Sequence, residues 1–308
     1  MTNSTVTRVS DKVYLLGDPY YQVYLVRGER CALVESGLSY TAPLVLAQLA
    51  ELGISPAEID YLIITHAHFD HICGAPGFQR ALPELRTIAS PVAARVLAKE
   101  KVIAGHFSED RAVVETLLAR GYLKSYDASF QPPATISVDL IMNEGDTLDL
   151  GGGCVLSFYL TPGHSPCSMS IYLSRDEVLF PSDCLGYPFR NKDIFPMYLS
   201  SYLDYVNSIK KVSALEASVL AFPQTPLLAD KEKIEEFRQR CLEITEKVHD
   251  FIIQAYRNGR DYADISMELF GRFYRDGLAV QSESILKVCT DLIIRRSLEA
   301  ENIALPQK

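Results

Sequence analysis

The stretch Thr65-His66-Ala67-His68-Phe69-Asp70-His71 decides both the fold and the chemistry of this chain. It places three imidazoles and one carboxylate within six residues, although all 308 residues include only six histidines. It follows the apolar run 61–64, whose length and composition predict a buried β-strand. A polar cluster at the end of a buried strand favours a functional site over a surface loop.

The spacing of these side chains predicts metal binding. His66 and His68 are two residues apart, so that both can point the same way and share one ion. Asp70 and His71 are offset from them and suit a second ion alongside. Nitrogen and oxygen donors of this kind favour Zn, Fe or Mn over Ca or Mg.

Two later residues stand in the same kind of place. His164 follows the predicted strand 155–160, and Asp183 follows the predicted strand 178–181. A lone His or Asp in a loop is more often structural. Beside the histidine motif, however, we expect His164 to supply a third imidazole to the first ion and Asp183 to bridge the two ions.

The rest of the chain predicts an α/β protein with a helical C-terminal region. Apolar runs separated by glycine predict strands in the first half, and the glycines 151–153 predict a hairpin. A repeat of three or four residues beyond residue 230 predicts long amphipathic helices. The predicted strands are 12–16, 22–26, 31–35, 61–64, 140–142, 155–160, 168–173, 178–181 and 219–222, and the predicted helices are 40–52, most of 90–126, 198–212, a long one after 230, 264–274 and 282–298.

Composition excludes several classes of protein. The net charge of −9 and the absence of a dense Lys/Arg tract argue against a nucleic-acid partner. No apolar run is long enough to span a bilayer, and the polar start lacks a signal peptide, so we expect a cytoplasmic protein without a membrane partner. The seven cysteines show no C-x-x-C pair, which predicts reduced, buried thiols.

These motifs together resemble the metallo-β-lactamase superfamily, which includes glyoxalase II. The resemblance covers roughly residues 10–230 and includes the H-x-H-x-D-H motif, the G-H after a strand, the S-D-C-L-G stretch and 33–37. The C-terminal helices and the helical insert at about 90–130 more narrowly resemble PqsE-type thioesterases. The implied fold is a four-layer αββα sandwich over 1–230, with residues 231–308 forming a helical extension that covers the active-site cleft.

The resemblance also implies a ligand set and a reaction. His66, His68 and His164 would hold the first of two divalent ions, Asp70 and His71 the second, and Asp183 would bridge. Water activated by the ions would attack a small ester or thioester, such as an acyl-CoA, with Asp70 orienting the water or taking its proton.

The sequence departs from the family at two positions. Glu35 stands where Asp is usual, and Gln224 stands where a late histidine normally binds the second metal. Gln224 could offer a carbonyl oxygen, which is a weaker donor, so we expect a weakened second site. The remaining histidines, His106 and His249, are expected on helix surfaces.

The sequence leaves the substrate and the function open. Tyr187, Phe189 and Phe195 follow Asp183 closely and are our candidates for a substrate pocket, and the helical tail offers a homodimer surface. Cys184 lacks a base partner and is not expected to be a nucleophile. Two other functions compete with a hydrolase. One is a diiron redox protein, a class that usually carries an acidic residue at the position of His68; the other is a non-catalytic regulatory protein that binds a small molecule.

Overall fold

A computed structural model describes residues 6–127, 130–189, 193–274 and 283–304. The chain divides into two compact units. The first unit comprises Met1–Leu160, Met169–Ser182 and Glu216–Ala229, and the second comprises Thr161–Ser168, Asp183–Leu215 and Asp230–Lys308.

The first unit contains a mixed sheet of seven strands among the described residues. Its strands follow one another in chain order, antiparallel from β1 to β4 and parallel from β4 to β7. Parallel neighbours end at the same edge of a sheet, so β4 and β5 deliver their following loops side by side. The strands are β1 (Thr7–Arg8), β2 (Val13–Gly17), β3 (Gln22–Arg27), β4 (Cys31–Val34), β5 (Ile59–Ile63), β6 (Arg86–Ala89) and β7 (Leu140–Ile141).

Helices connect the parallel strands of this sheet. Ser55 and Glu58 form the reciprocal capping box that their spacing indicates, here around a single 3₁₀ turn, Pro56–Glu58, that leads into β5. The α-helices of the first unit are α1 (Thr41–Glu51), α2 (Phe69–Ile72), α3 (Ala75–Ala81), α4 (Pro91–Leu97) and α5 (Glu100–Ala119).

A second sheet of the first unit has the order β14-β11-β10-β9-β8. The glycines 151–153 join β8 to β9, whose antiparallel pairing confirms the predicted hairpin. The strands are β8 (Thr147–Asp149), β9 (Val155–Leu160), β10 (Met169–Leu173), β11 (Val178–Phe180) and β14 (Val219–Leu220).

The main core of the first unit lies between its two sheets. Val34 and Ile63 of the first sheet and Phe158, Ile171 and Phe180 of the second belong to one cluster of buried side chains. Burying one such side chain contributes about 1.5–3 kcal/mol. This core therefore holds the strand ends, and the loops that follow them, in fixed positions.

The second unit is mainly helical. Asp230 caps its longest helix by accepting a hydrogen bond from the backbone of Lys233. The elements of this unit are the antiparallel pair β12 (Tyr187–Phe189) and β13 (Asp193–Phe195) and the helices α6 (Tyr202–Ser213), α7 (Lys231–Arg257), α8 (Tyr262–Phe273) and α9 (Glu283–Ala300).

The mixed α/β fold with C-terminal helices is confirmed, with shifts at several element ends. The helix expected from residue 198 begins at Tyr202, because Ser201 caps it with its hydroxyl. The predicted helical region 90–126 ends at Ala119, and Ser282, the expected start of the last helix, lies outside the described residues. That the tail covers the active-site cleft stays a prediction. Among the described residues, none of the helices combines the length and apolar character that crossing a bilayer needs.

Candidate metal centre

The histidine motif occupies the turn between β5 and α2. His68 is extended, with φ −86° and ψ 156°, and it stands immediately before the first turn of α2, which contains Asp70 and His71. At the neighbouring strand, the backbone N–H of Glu35 donates to the carbonyl of Ile63 across 3.0 Å. The end of β4 therefore lies beside the end of β5, and Glu35 lies beside the motif.

His66 and His68 direct ring nitrogens at each other. Nε2 of His66 lies 3.0 Å from Nδ1 of His68, and the His66 side chain is buried. Two nitrogens on a tetrahedral ion with bonds of about 2.0–2.1 Å would be about 3.3 Å apart. The separation in this structure is therefore close to what two ligands of one ion require.

A chain of hydroxyls sets the proton on His66. Thr65 donates to the Glu35 carboxylate across 2.6 Å. Its single hydrogen is then used, so Ser182, 2.7 Å away, donates to Thr65. Nδ1 of His66, 3.2 Å from the Ser182 hydroxyl, is then the donor to Ser182. This ordering leaves the lone pair of His66 on Nε2, the nitrogen that faces His68.

His71 is oriented by the same carboxylate. Its Nδ1 lies 2.8 Å from Oε2 of Glu35, and both side chains are buried. Because a carboxylate only accepts, Nδ1 carries the proton and Nε2 carries the lone pair. Glu35 thus fixes the tautomers of His71 directly and of His66 through Thr65 and Ser182.

Two of the residues in this network hold strained backbones. Glu35 has φ 75° and Ser182 has φ 52°, a left-handed region that costs most non-glycine residues energy. Both residues contact the histidines, Glu35 at His71 and Ser182 at His66. We interpret the strain as the cost of holding the imidazoles in one orientation.

Close backbone packing anchors α2 against the loop after β4. Ser36 donates its hydroxyl hydrogen to the His71 carbonyl across 2.6 Å, and the Gly74 N–H donates to the Gly37 carbonyl across 3.0 Å. A Cβ on Gly74 would lie 1.9 Å from the Ser36 carbonyl oxygen. Position 74 therefore requires glycine for this approach.

Gln224 contacts the histidine motif at Asp70 and His71. Its Nε2 donates to Oδ2 of Asp70 and lies 3.2 Å from Nε2 of His71. The sequence predicts that Gln224 offers a carbonyl oxygen to a metal, but its amide nitrogen faces these two residues. A donor suits this place because both neighbouring atoms are acceptors, and in this orientation Gln224 does not act as a ligand toward them.

His164 and Asp183 belong to the second unit, where they contact each other. Nε2 of His164 lies 3.1 Å from Oδ2 of Asp183. Nδ1 of His164 lies 2.9 Å from the Met197 carbonyl. That carbonyl makes Nδ1 the donor and directs Nε2 toward Asp183, which is the orientation a metal ligand needs.

The other predicted residues lie elsewhere in the structure. His249 is buried and stacks on Tyr202 with ring centroids 3.8 Å apart, so its expected surface position is wrong. The helical repeat of α7 places residue 249 beside Val248 and Ile252 on the buried side, and burial lowers the pKa of His249. His106 is partly exposed on α5, 3.5 Å from Glu109.

Of the three aromatic residues predicted to line a substrate pocket, two are partly exposed and one is buried. Tyr187 and Phe189 are half-buried, but Phe195 is buried and packs on Phe273 with centroids 4.9 Å apart. Phe195 thus contributes to packing in the second unit. Full burial also raises the pKa of the Cys184 thiol well above its usual range, which agrees with the prediction that it is not a nucleophile.

The donor set fits a divalent metal ion. One ligand atom of His66 lies within 4.8 Å of one on His68, and within the same limit of one on His71. An imidazole that uses one ring nitrogen in a hydrogen bond and leaves the other free is a typical metal ligand.

The sequence analysis identified the histidines but missed Thr65 and Ser182. Their adjacency to His66 and Asp183 was the available signal.

Comparisons with known proteins show the family and the fold of this chain. A family model described as "Metallo-beta-lactamase superfamily" matches residues 16–224. A metallo-beta-lactamase family protein from Thermus thermophilus superposes with a TM-score of 0.67 at 19% identity, covering 96% of this chain and 95% of that one. A metallo-beta-lactamase variant from Cronobacter sakazakii gives a TM-score of 0.59 at 21% identity, covering 83% and 99%.

Curated relatives carry different names. Flavo-diiron protein FprA2 from Clostridium acetobutylicum is 24% identical over 265 residues, which are 77% of this chain and 58% of the relative. An anaerobic nitric oxide reductase flavorubredoxin from Citrobacter koseri is 27% identical over 176 residues, 57% of this chain and 30% of the relative. The chain thus spans less than two thirds of either relative. The family model and the shared fold together show that this chain belongs to the metallo-β-lactamase superfamily.

Proposed function

We propose that this protein is a metal-dependent hydrolase of a small ester or thioester. The observation that carries the proposal is the pair His66 and His68, whose facing nitrogens are 3.0 Å apart. Glu35 supports it by keeping the lone pair of His66 on the facing nitrogen. A diiron site of the redox type would favour a carboxylate, and not an imidazole, at position 68.

We propose His164 as the third ligand of this ion and Asp183 as a further ligand beside it. Chain connectivity supports this. Asp183 directly follows Ser182 in the chain, and the Ser182 hydroxyl contacts His66. The loop that carries His164 is followed by Met169, whose N–H donates to the Thr65 carbonyl across 2.9 Å.

A bound divalent ion would lower the pKa of coordinated water and polarise a substrate carbonyl. The chain's own residues supply the rest. Asp70 stands in the first turn of α2, and its carboxylate oxygen lies 3.8 Å from Nε2 of His71, where it can orient a water molecule or accept its proton. Glu35 keeps His66 and His71 in the tautomers that bind metal.

A redox function is a second candidate, because the curated relatives are named flavo-diiron protein and flavorubredoxin. It would need two iron ions and an electron donor. A regulatory protein that binds a ligand without turnover is a third. The three functions predict different results when the same purified chain is assayed.

The test is a panel of acyl-CoA thioesters, lactones and phosphodiesters assayed with Zn, Fe or Mn. Oxygen and nitric oxide consumption under a chemical reductant is measured in parallel. We expect hydrolysis of an ester or thioester by the wild type and a loss of at least 100-fold in His68→Ala. His106→Ala removes a partly exposed histidine of α5, which lies 3.5 Å from Glu109 and outside the proposed ligand set, and it is the matched control.

Each outcome assigns a function. Hydrolysis that persists in His68→Ala contradicts the proposal. Gas consumption without hydrolysis favours the redox candidate. Ligand binding without turnover under any of the three metals favours the regulatory one.

A further inference from the structure

We infer that this chain binds one metal ion tightly, and that the carboxamide of Gln224 takes the hydrogen-bonding positions that a second ion would occupy. The inference rests on the proposed function only in taking the histidine motif as a metal site. It concerns the number of ions and the residue that sets this number.

Two hydrogen-bond acceptors face the amide of Gln224. Glu35 accepts from Nδ1 of His71, so Nε2 of His71 presents a lone pair. Oδ2 of Asp70 is a carboxylate oxygen and also presents lone pairs. These two atoms are 3.8 Å apart, and they are the donor atoms that a second ion would need from this side of the motif.

The amide of Gln224 matches both acceptors. Its Nε2 donates to Oδ2 of Asp70 and lies within 3.2 Å of Nε2 of His71. An amide NH₂ has two hydrogens, one for each acceptor. Turning the amide over would place a carbonyl oxygen against a carboxylate and an imidazole lone pair, which is repulsive. The neighbours therefore fix the amide orientation.

The backbone holds Gln224 in this place. The carbonyl of Pro223 accepts a hydrogen bond from the N–H of Gln22 across 2.7 Å. The carbonyl of Phe222 accepts from the hydroxyl of Tyr24 across 2.6 Å. Both donors lie on β3, and both are buried. The position of Gln224 thus follows from the sheet that also carries Glu35 and the motif.

The consequence is a difference between the two metal positions. His66 and His68 present facing imidazole nitrogens, a combination that zinc and iron bind well. At the other position a neutral amide donor stands among the ligands, and it satisfies Asp70 and His71 without a cation. A second ion would have to displace these hydrogen bonds to reach Asp70 and His71, and from Gln224 it would gain at most a neutral carbonyl oxygen.

The experiment counts ions and does not depend on activity. The full chain is stripped with a chelator and titrated with cobalt(II), whose visible absorption reports occupied nitrogen-rich sites. We expect the wild type to saturate at one equivalent, with any second ion bound at least 100-fold more weakly. Gln224→His restores an imidazole at this place and is expected to saturate at two equivalents.

The matched control is Gln239→His, which adds an imidazole on the exposed side of α7 and should keep one equivalent. Two tight equivalents in the wild type overturn the inference and leave the metal-site proposal standing. Zero equivalents in the wild type overturn the metal-site proposal itself. A folded Gln224→His protein that still binds one equivalent shows that Gln224 does not set the number.

Discussion

The carboxylate of Glu35 accepts a hydrogen bond from Nδ1 of His71 across 2.8 Å, with both side chains buried. The other oxygen of Glu35 accepts from Thr65. One side chain at the end of β4 therefore sets the proton on His71 directly and, through Thr65 and Ser182, the proton on His66. Glu35 has a longer side chain than the Asp that is usual at this position in the family. It makes the contact with His71 while its backbone is in a left-handed conformation.

Glu35→Ala is predicted to lower the metal affinity roughly 10–100-fold, as removal of a hydrogen-bonding partner of a metal ligand typically does. The cause is the loss of the acceptor that holds His71 and, through Thr65, His66. Competition with a chromophoric chelator measures the affinity. Glu51→Ala changes an exposed glutamate at the end of α1 and should leave it unchanged; an equal loss in both variants would disprove the role of Glu35.

Gly74→Ala is predicted to destabilise the protein by about 1–3 kcal/mol, the usual cost of overpacking a buried site. Its Cβ would lie 1.9 Å from the Ser36 carbonyl oxygen, so that α2 or the loop after β4 has to move. Urea denaturation measures the effect. Gly105→Ala is the control, because Gly105 lies inside α5 and a Cβ added there would meet no atom within 4 Å beyond its own helix backbone. That variant should gain roughly 0.5–1 kcal/mol.

Asp110→Asn is predicted to flatten part of the pH dependence of stability. Burial raises the pKa of Asp110 to about 6 from 3.8, although hydrogen bonds from the Ser39 N–H and hydroxyl oppose the shift. The folded state thus keeps a proton that the unfolded chain releases, so stability falls as pH rises from about 4 to about 6. The difference between the two pKa values corresponds to about 3 kcal/mol in total.

The measurement is the free energy of unfolding of wild type and variant at pH 4 and pH 7. The variant should gain stability relative to the wild type between these values, because asparagine does not ionise. Asp264→Asn alters an exposed carboxylate of α8 and should show no such gain. A constant difference between Asp110→Asn and wild type at both pH values would contradict the assignment.

Thiol labelling is predicted to distinguish Cys289 from the other cysteines. Cys289 is half-buried, and the other six are buried. Burial also raises the pKa of Cys31 to about 11 and raises the pKa values of Cys73, Cys184 and Cys241. Ellman's reagent at pH 7.5 should modify about one thiol quickly in the folded protein and seven in urea. Cys289→Ser should abolish the fast phase, and a fast phase that persists would contradict this assignment.

The sequence was most informative where a pattern repeats or a motif is dense. The period of α7 and the apolar run before Thr65 predicted their elements well, because burial of one face depends on spacing alone. Short elements such as α3 and β6 escaped prediction, since four to seven residues carry too little periodicity. His249 was misplaced although the repeat of α7 puts it on the buried side of the helix; its stacking partner Tyr202, 47 positions earlier, is visible only in the structure.

In the candidate site, too, the sequence predicted some features and not others. The imidazoles and Asp70 were recognisable from one stretch of chain, and the altered position of Gln224 was recognisable against the family. The amide orientation of Gln224 and the hydroxyl chain through Thr65 and Ser182 were not, because they depend on contacts between residues more than 100 positions apart. Tertiary structure alone brings such groups together.

The central claim is that His66 and His68 hold a divalent ion, and X-ray absorption spectroscopy of the zinc-loaded chain tests it most directly. We expect a first shell at about 2.0–2.1 Å with the multiple-scattering pattern of at least two imidazoles. The double variant His66→Ala/His68→Ala should lose that pattern. A first shell of oxygen alone in the wild type, or an unchanged imidazole pattern in the double variant, would contradict the account.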